Sequence, residues 1–286
     1  MRGGKNAKVL RRSPFLEAVM FQDSSNTMKL LSLLYFCMTL HAFSQLRRNW
    51  GALDTKSLFL LSMSTACALR LMCFVGFCLL DETRQHVSPT SYVTPELDMY
   101  ARAVVLLFDI PDFVLVSTYV LLLVVWAECF VGSRRHWLSA RNYKETWHRC
   151  YLGLNVVLYG TQLSLYCALV SSDRTITLLY LVPAIATFAV PVVHFVFYVF
   201  LALRFAGFPM VSNAKKDRLE RLTRVTAAWT VGRVFWATAV LTSVFKKTVP
   251  GATVGGVAIV ALFLLTEICP FILTLDSGLL NSLLGD

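Results

Sequence analysis

Seven apolar blocks, each about as long as a bilayer is thick, limit what this chain can fold into. They cover residues 28–43, 57–80, 103–131, 151–171, 176–205, 225–245 and 252–275. A hydrocarbon core of about 30 Å is crossed by roughly 20 helical residues. Within it every backbone N–H and C=O must find a partner inside the protein, which leaves helices and closed barrels. The blocks are continuously apolar and lack the period-two alternation of a barrel strand, so the pattern predicts helices. Hydrophobic residues make up 56% of the chain and charged residues 15%. A soluble domain carries about 25% charge and could not hide this much apolar surface.

A polar, basic leader (1–27), a helical membrane domain (28–275) and a short tail (276–286) follow from these limits. The first block is the shortest and ends among small residues, as a signal peptide would. The leader before it exceeds a usual signal n-region, so a retained helix is expected. Pro111, Pro183, Pro191 and Pro270 fall inside the blocks, where neighbouring helices can satisfy the carbonyls they free. Pro111, between Asp109 and Asp112, also reads as a helix start. Basic residues concentrate in the first, third and fifth connections, which places those connections in the cytosol. The expected fold is therefore an all-α seven-transmembrane helix bundle of GPCR-like topology, with a lumenal or outside N-terminus and a cytosolic C-terminus. The five basic residues of the leader (Arg2, Lys5, Lys8, Arg11 and Arg12) run against that orientation.

Ionisable side chains at the centre of a membrane helix cost about 2.5–3.5 kcal/mol each on insertion scales. Arg70 lies in the second block, Asp109 and Asp112 in the third, Arg233 in the sixth and Glu267 in the seventh. Comparing depths along antiparallel helices predicts two buried pairs, Arg70 with Asp112 (or Asp109) and Arg233 with Glu267. Such pairs fix helix neighbours; the competing reading is an ion or proton path. His194 is expected to be a hydrogen-bonded bundle residue. Asn155, Tyr159 and Gln162 are spaced to share one face of the fourth helix, a pattern suited to interhelical hydrogen bonds. Gly251 and Gly255 form a GxxxG packing motif at the start of the seventh helix.

The eight cysteines lie in or beside the blocks, where cysteine behaves as a small apolar residue. The net charge of +10 sits in short segments between spans and suits anionic headgroups better than nucleic acid. The basic, tryptophan-bearing segment 133–149, with Arg134 and Arg135, reads as lying at headgroup level. Residues 213–224, with Lys215, Lys216 and Arg218, read as a basic helix start. Both are candidate contacts for lipid or for a peripheral protein. No catalytic motif, no cofactor-binding loop and no metal-ligand spacing is present in the sequence, so no enzyme, cofactor or metal is expected.

The third block carries more than composition. LLFDIPDFVLVSTYVLLLVVWAECF (residues 106–130) resembles the third helix of the tobamovirus multiplication protein family, the THH/TOM domain, with its Asp-Leu-Pro start, Ser-Thr-Tyr centre and Trp-Ala-Glu end. The matching residues are Asp109, Pro111, Ser117, Thr118, Tyr119, Trp126, Ala127 and Glu128. Arg70 in the second helix, Asn155, Tyr159 and Gln162 in LNVVLYGTQ, Arg233 in VGRVF, and Glu267 and Pro270 in TEICP agree in order. Apolar FYVFLAL stands where the family has a Gly-Gly-Arg run, the mark of a divergent member. The resemblance implies a receptor-shaped, seven-helix protein of the vacuolar or lysosomal membrane that recruits cytosolic partners such as an ARF-like small GTPase. A G-protein-coupled-type receptor is the second class, although the third helix ends Glu128-Cys129-Phe130 rather than Asp/Glu-Arg-Tyr. An ion or proton transporter using the buried charges is the third.

Overall fold

The computed structural model describes residues 25–48, 55–85, 95–133, 137–169, 174–205, 212–246 and 256–275. They form α1 (Ser25–Arg48), α2 (Thr55–Gln85), α3 (Pro95–Gly132), α4 (Trp137–Leu169), α5 (Arg174–Phe205) and α6 (Asn213–Lys246). A seventh helix is built from α7 (Gly256–Phe263), a π-helical segment (Leu264–Ile268) and α8 (Cys269–Leu275). No strand occurs among the described residues. Three stretches are long and apolar enough to cross a membrane: Ser57–Leu79, Asp109–Gly132 and Ala184–Leu203. The seventh helix contains a shorter apolar stretch, Ile259–Leu275.

Several helices outrun the apolar blocks that announce them. Because α3 begins at Pro95, Pro111 lies well inside it, which corrects its reading as a helix start. A proline removes one N–H and crowds the carbonyl four residues back, but packing on all sides holds α3 together across it. Likewise α4 begins at Trp137, so most of the basic segment 133–149 belongs to a helix continuous with the fourth block rather than forming a separate segment along the headgroups. Gly251, Gly255 and the pair Arg134 and Arg135 lie outside the described residues.

The helix α3 is central, packing against α2, α4, α5 and α6. The seventh helix meets α6 through its π segment and α8, and α1 through α7 and α8, while α1 packs on α2. Large aromatics fill the interior, among them Tyr35, Phe74, Trp126, Trp229 and Phe271. Outside, the surface is apolar: Phe43, Val156, Leu163, Phe195 and Leu203 are each more than 60% exposed. Soluble monomers rarely show contiguous patches of this kind, whereas hydrocarbon would cover them at no cost.

The π segment has a local cause. Pro270 has no N–H to give the carbonyl of Thr266, four residues earlier, and the Cys269 N–H reaches back to the Leu264 carbonyl. Arg233 Nη2 donates instead to the freed Thr266 oxygen at 3.2 Å. Close approach of α6 makes this contact feasible, and Gly232 permits it: a Cβ there would stand 2.9 Å from Thr266 O and 3.2 Å from its Cα. Gly232→Ala should therefore lower stability by about 1–3 kcal/mol, read as a fall in melting temperature in detergent. Gly160→Ala, with nothing within 4 Å of the added methyl, should leave it unchanged or slightly raised.

Candidate functional site

Successive residues of an α-helix are turned by about 100°, so three consecutive polar side chains can reach three different neighbours. Ser117-Thr118-Tyr119 does this from α3. Ser117 Oγ donates to Asn155 Oδ1 on α4 at 2.5 Å and lies 3.1 Å from the Tyr151 hydroxyl. Thr118 Oγ1 pairs with Ser62 on α2 at 2.7 Å. The Tyr119 hydroxyl pairs with Thr230 on α6 at 2.6 Å, and its ring stacks on Trp229 at 6.3 Å. Two turns on, Trp126 Nε1 donates to Thr223 of α6 at 3.0 Å, and its ring meets His194 of α5 edge-on at 4.9 Å.

One side of this hub holds the buried charges in a single network. Arg70 Nη2 donates to Asp112 Oδ1 at 2.5 Å and to Glu267 Oε1 at 2.6 Å, and Arg70 Nε donates to Glu267 Oε2 at 3.0 Å. Arg233 Nη2 is 3.3 Å from Glu267 Oε1, and the Tyr35 hydroxyl of α1 donates to Glu267 Oε2 at 2.5 Å. Two cations thus meet two anions. The arrangement differs from two separate pairs, because Glu267 bridges both arginines and Arg70 is shared by both acids. A π turn makes that possible by presenting Glu267 to α1, α2 and α6 at once. The rings of Phe263 and Trp236 lie 5.3 and 5.9 Å from the Arg70 guanidinium carbon. Arg70 and Glu267 are sealed from solvent, and Asp112 is nearly so.

Asp109 belongs to another cluster. It faces α4, where Tyr166 donates to its Oδ2 at 2.8 Å and Gln162 donates to the Tyr166 oxygen at 2.6 Å. Its Oδ1 is buried without a hydrogen-bond partner among the described residues. The three polar α4 residues expected on one face all serve α3: Asn155 and Tyr159 bond Ser117, and Gln162 supports the Tyr166 that holds Asp109, although Tyr159 stays 39% exposed. The expectation of a hydrogen-bonded His194 is corrected: its buried Nδ1 meets no partner among the described residues, and the ring is held instead by Trp126. Near the other end of α3, Thr55 donates to Glu128 Oε1 at 3.1 Å and lies 2.9 Å from His148 Nε2. These contacts tie α2, α3 and α4 together. Lys215 Nζ reaches the Gly132 carbonyl at 3.4 Å, across the end of α3. Lys216 is exposed beside it and Arg218 half-buried. At Glu220 the carboxyl is held below its ordinary range by the hydrogen bond and charge of Arg224. Pro111 and Pro270 are both buried. No disulfide joins any of the eight cysteines, of which Cys67 and Cys73 pack in the core.

Tyr35, Gly232 and the Thr266 carbonyl complete the network and were not singled out from the sequence. A tyrosine in an apolar block was the available sign, since a phenolic hydroxyl in hydrocarbon requires a partner.

An all-helical bundle with three membrane-length apolar helices, an apolar exterior and its charges turned inward is a helical membrane protein. Over residues 16–276 the chain matches the model of the THH1/TOM1/TOM3 domain. It belongs to that family. Comparison with curated proteins and with solved structures finds no match.

The network makes a quantitative prediction. Arg70→Ala leaves Asp112 and Glu267 as facing buried anions and should cost about 3–5 kcal/mol. Tyr35→Phe should cost about 1.5–3 kcal/mol, as for a lost hydrogen bond to a charged group. In a double-mutant cycle, Arg70→Ala and Glu267→Ala should be non-additive by about 1–3 kcal/mol, measured by thermal melting in detergent. Additive losses would mean that the two side chains do not act as a unit.

Proposed function

We propose that this chain is a multi-pass scaffold of an endomembrane, crossing the bilayer seven times with its C-terminus in the cytosol. The single observation that carries the architectural part is the closed charge network: two arginines neutralise two carboxylates away from solvent under an aromatic cover. Such groups hold helices in register at a cost in insertion energy, and a shuttled ion would need one of them to open. Apolar outer faces on α1, α4 and α6 support the further crossings. In this reading the protein is not an enzyme. It acts by presenting its cytosolic end, with Arg134, Arg135, Lys215, Lys216 and Arg218, to a peripheral partner. The family resemblance points to an ARF-like small GTPase as that partner and to a vacuolar or lysosomal membrane as the location.

The test is capture of purified ARF-like GTPases by the full-length chain in nanodiscs. GTP-loaded protein should be retained over GDP-loaded protein, and Lys216→Glu with Arg218→Glu should weaken retention by about tenfold, a loss of about 1.4 kcal/mol. If the wild-type chain captures no GTPase in either state, the recruiting function is wrong. A C-terminal tag protected from added protease in intact vacuoles or lysosomes would overturn the orientation.

One observation favours a second reading, an ion or proton transporter. Asp109 Oδ1, buried without a partner among the described residues, is the type of group a transported cation or proton would occupy. Flux into liposomes that disappears with Asp109→Asn, while melting is unchanged, would establish that reading over the scaffold.

A further inference from the structure

Three helices share a surface pattern that the sequence order hides. On α1 the exposed residues Leu33, Phe36, Leu40 and Phe43 step by three and four along one outward stripe, and the next step is exposed Arg47. On α4 the stripe Leu163, Gly160, Val156 and Leu152 runs the other way and ends on exposed Arg149. On α6, Phe235, Val231 and Ala227 lead to Arg224, with Arg221 one turn further.

All three stripes turn basic at the same end of the bundle. Helix α1 finishes there, just before Thr55 opens α2, and Thr55 touches both Glu128 of α3 and His148 of α4. His148 adjoins Arg149, and Thr223, beside Arg224, accepts from Trp126 of α3. This end is the one taken above as cytosolic. Helices α1, α4 and α6 also occupy separate stations of the perimeter, with α2, α5 and the seventh helix between them. One docked protein covers one side of a bundle; a bilayer surrounds all of it.

We propose that Arg47, Arg149, Arg221 and Arg224 form a girdle that binds the phosphates of anionic phospholipids in the adjoining leaflet. The inference rests on the membrane-spanning part of the proposed function and not on GTPase recruitment. Each arginine continues a face that hydrocarbon covers, so its long stem lies along the acyl region and its head rises to the phosphates. A guanidinium offers paired donors that match two phosphate oxygens. Glu220 holds Arg224 at 2.6 Å, which orients that guanidinium while leaving donors for a lipid. Lys215 and Lys216 stand further along α6, beyond the girdle, where a cytosolic partner reaches them.

The experiment uses the full-length chain in nanodiscs of phosphatidylcholine mixed with phosphatidylserine. Native mass spectrometry reads the lipids retained after release. Phosphatidylserine should be enriched over phosphatidylcholine. Each Arg→Gln change should lower the preference about fivefold at its own station, the factor expected for one basic residue at an anionic surface. Each single change thus removes a share of the total enrichment, and the quadruple change lowers that total about fivefold. Melting in neutral detergent should move by no more than the small contribution of exposed surface contacts, since all four side chains, the Glu220-paired Arg224 among them, are exposed. Two results overturn the girdle while the scaffold reading stands: lipids retained in the proportions of the mixture, or undiminished phosphatidylserine preference in the R47Q/R149Q/R221Q/R224Q variant. If that variant keeps its lipid preference but loses GTPase capture, the arginines belong to the protein partner. A chain that stays dispersed without lipid or detergent overturns both the girdle and the membrane reading beneath it.

Discussion

Glu267 brings a negative charge into the middle of an apolar bundle, and the helices around it are placed by the need to answer that charge. Arg70 supplies two hydrogen bonds from α2, Tyr35 one from α1, and Arg233 a longer contact from α6. Asp112 then balances the second cation through Arg70. Removing any one of the four charged members leaves a charge without its counterpart in a medium where solvation is absent. That asymmetry makes a buried network far more costly to break than it is valuable to possess. Its worth here is specificity, since few alternative helix arrangements would bring these two cations and two anions together.

Backbone chemistry prepares this meeting. The missing N–H of Pro270 leaves the Thr266 carbonyl open, and the π segment turns Glu267 inward. Gly232 lets α6 come close enough for Arg233 to reach both the carbonyl and the carboxylate. Such a juncture is stiff by construction, because each part occupies space or bonding capacity that the next one vacates. The central helix plays the complementary role. Its Ser-Thr-Tyr run spreads three short hydrogen bonds over α4, α2 and α6, while Trp126 and Glu128 extend the same contacts toward the end of the bundle where α2 begins.

Outside, the chemistry inverts. Apolar side chains cover the middle of the bundle and arginines close the stripes at one end, so the surface repeats the layering of a bilayer leaflet. Interior and exterior therefore impose separate demands on the same helices. The buried charges select which helices adjoin, and the outward stripes set the height at which they sit.

Apolar block length and continuity determined from the sequence alone that this chain is built of helices, about where each lies, and which ionisable residues need partners. Those properties depend on neighbours in the chain, where 3.6-residue periodicity and hydrocarbon thickness act directly. The family could also be read locally, from the string around Asp109 to Glu128. Only the tertiary structure decided that the charges form one network rather than two pairs, that Asp109 faces Tyr166 instead of Arg70, and that Tyr35 takes part. Comparing depths along ideal helices gives the level of a side chain but not its azimuth. Azimuth depends on how seven rods turn about their axes, and here a proline, a glycine and one π turn set it.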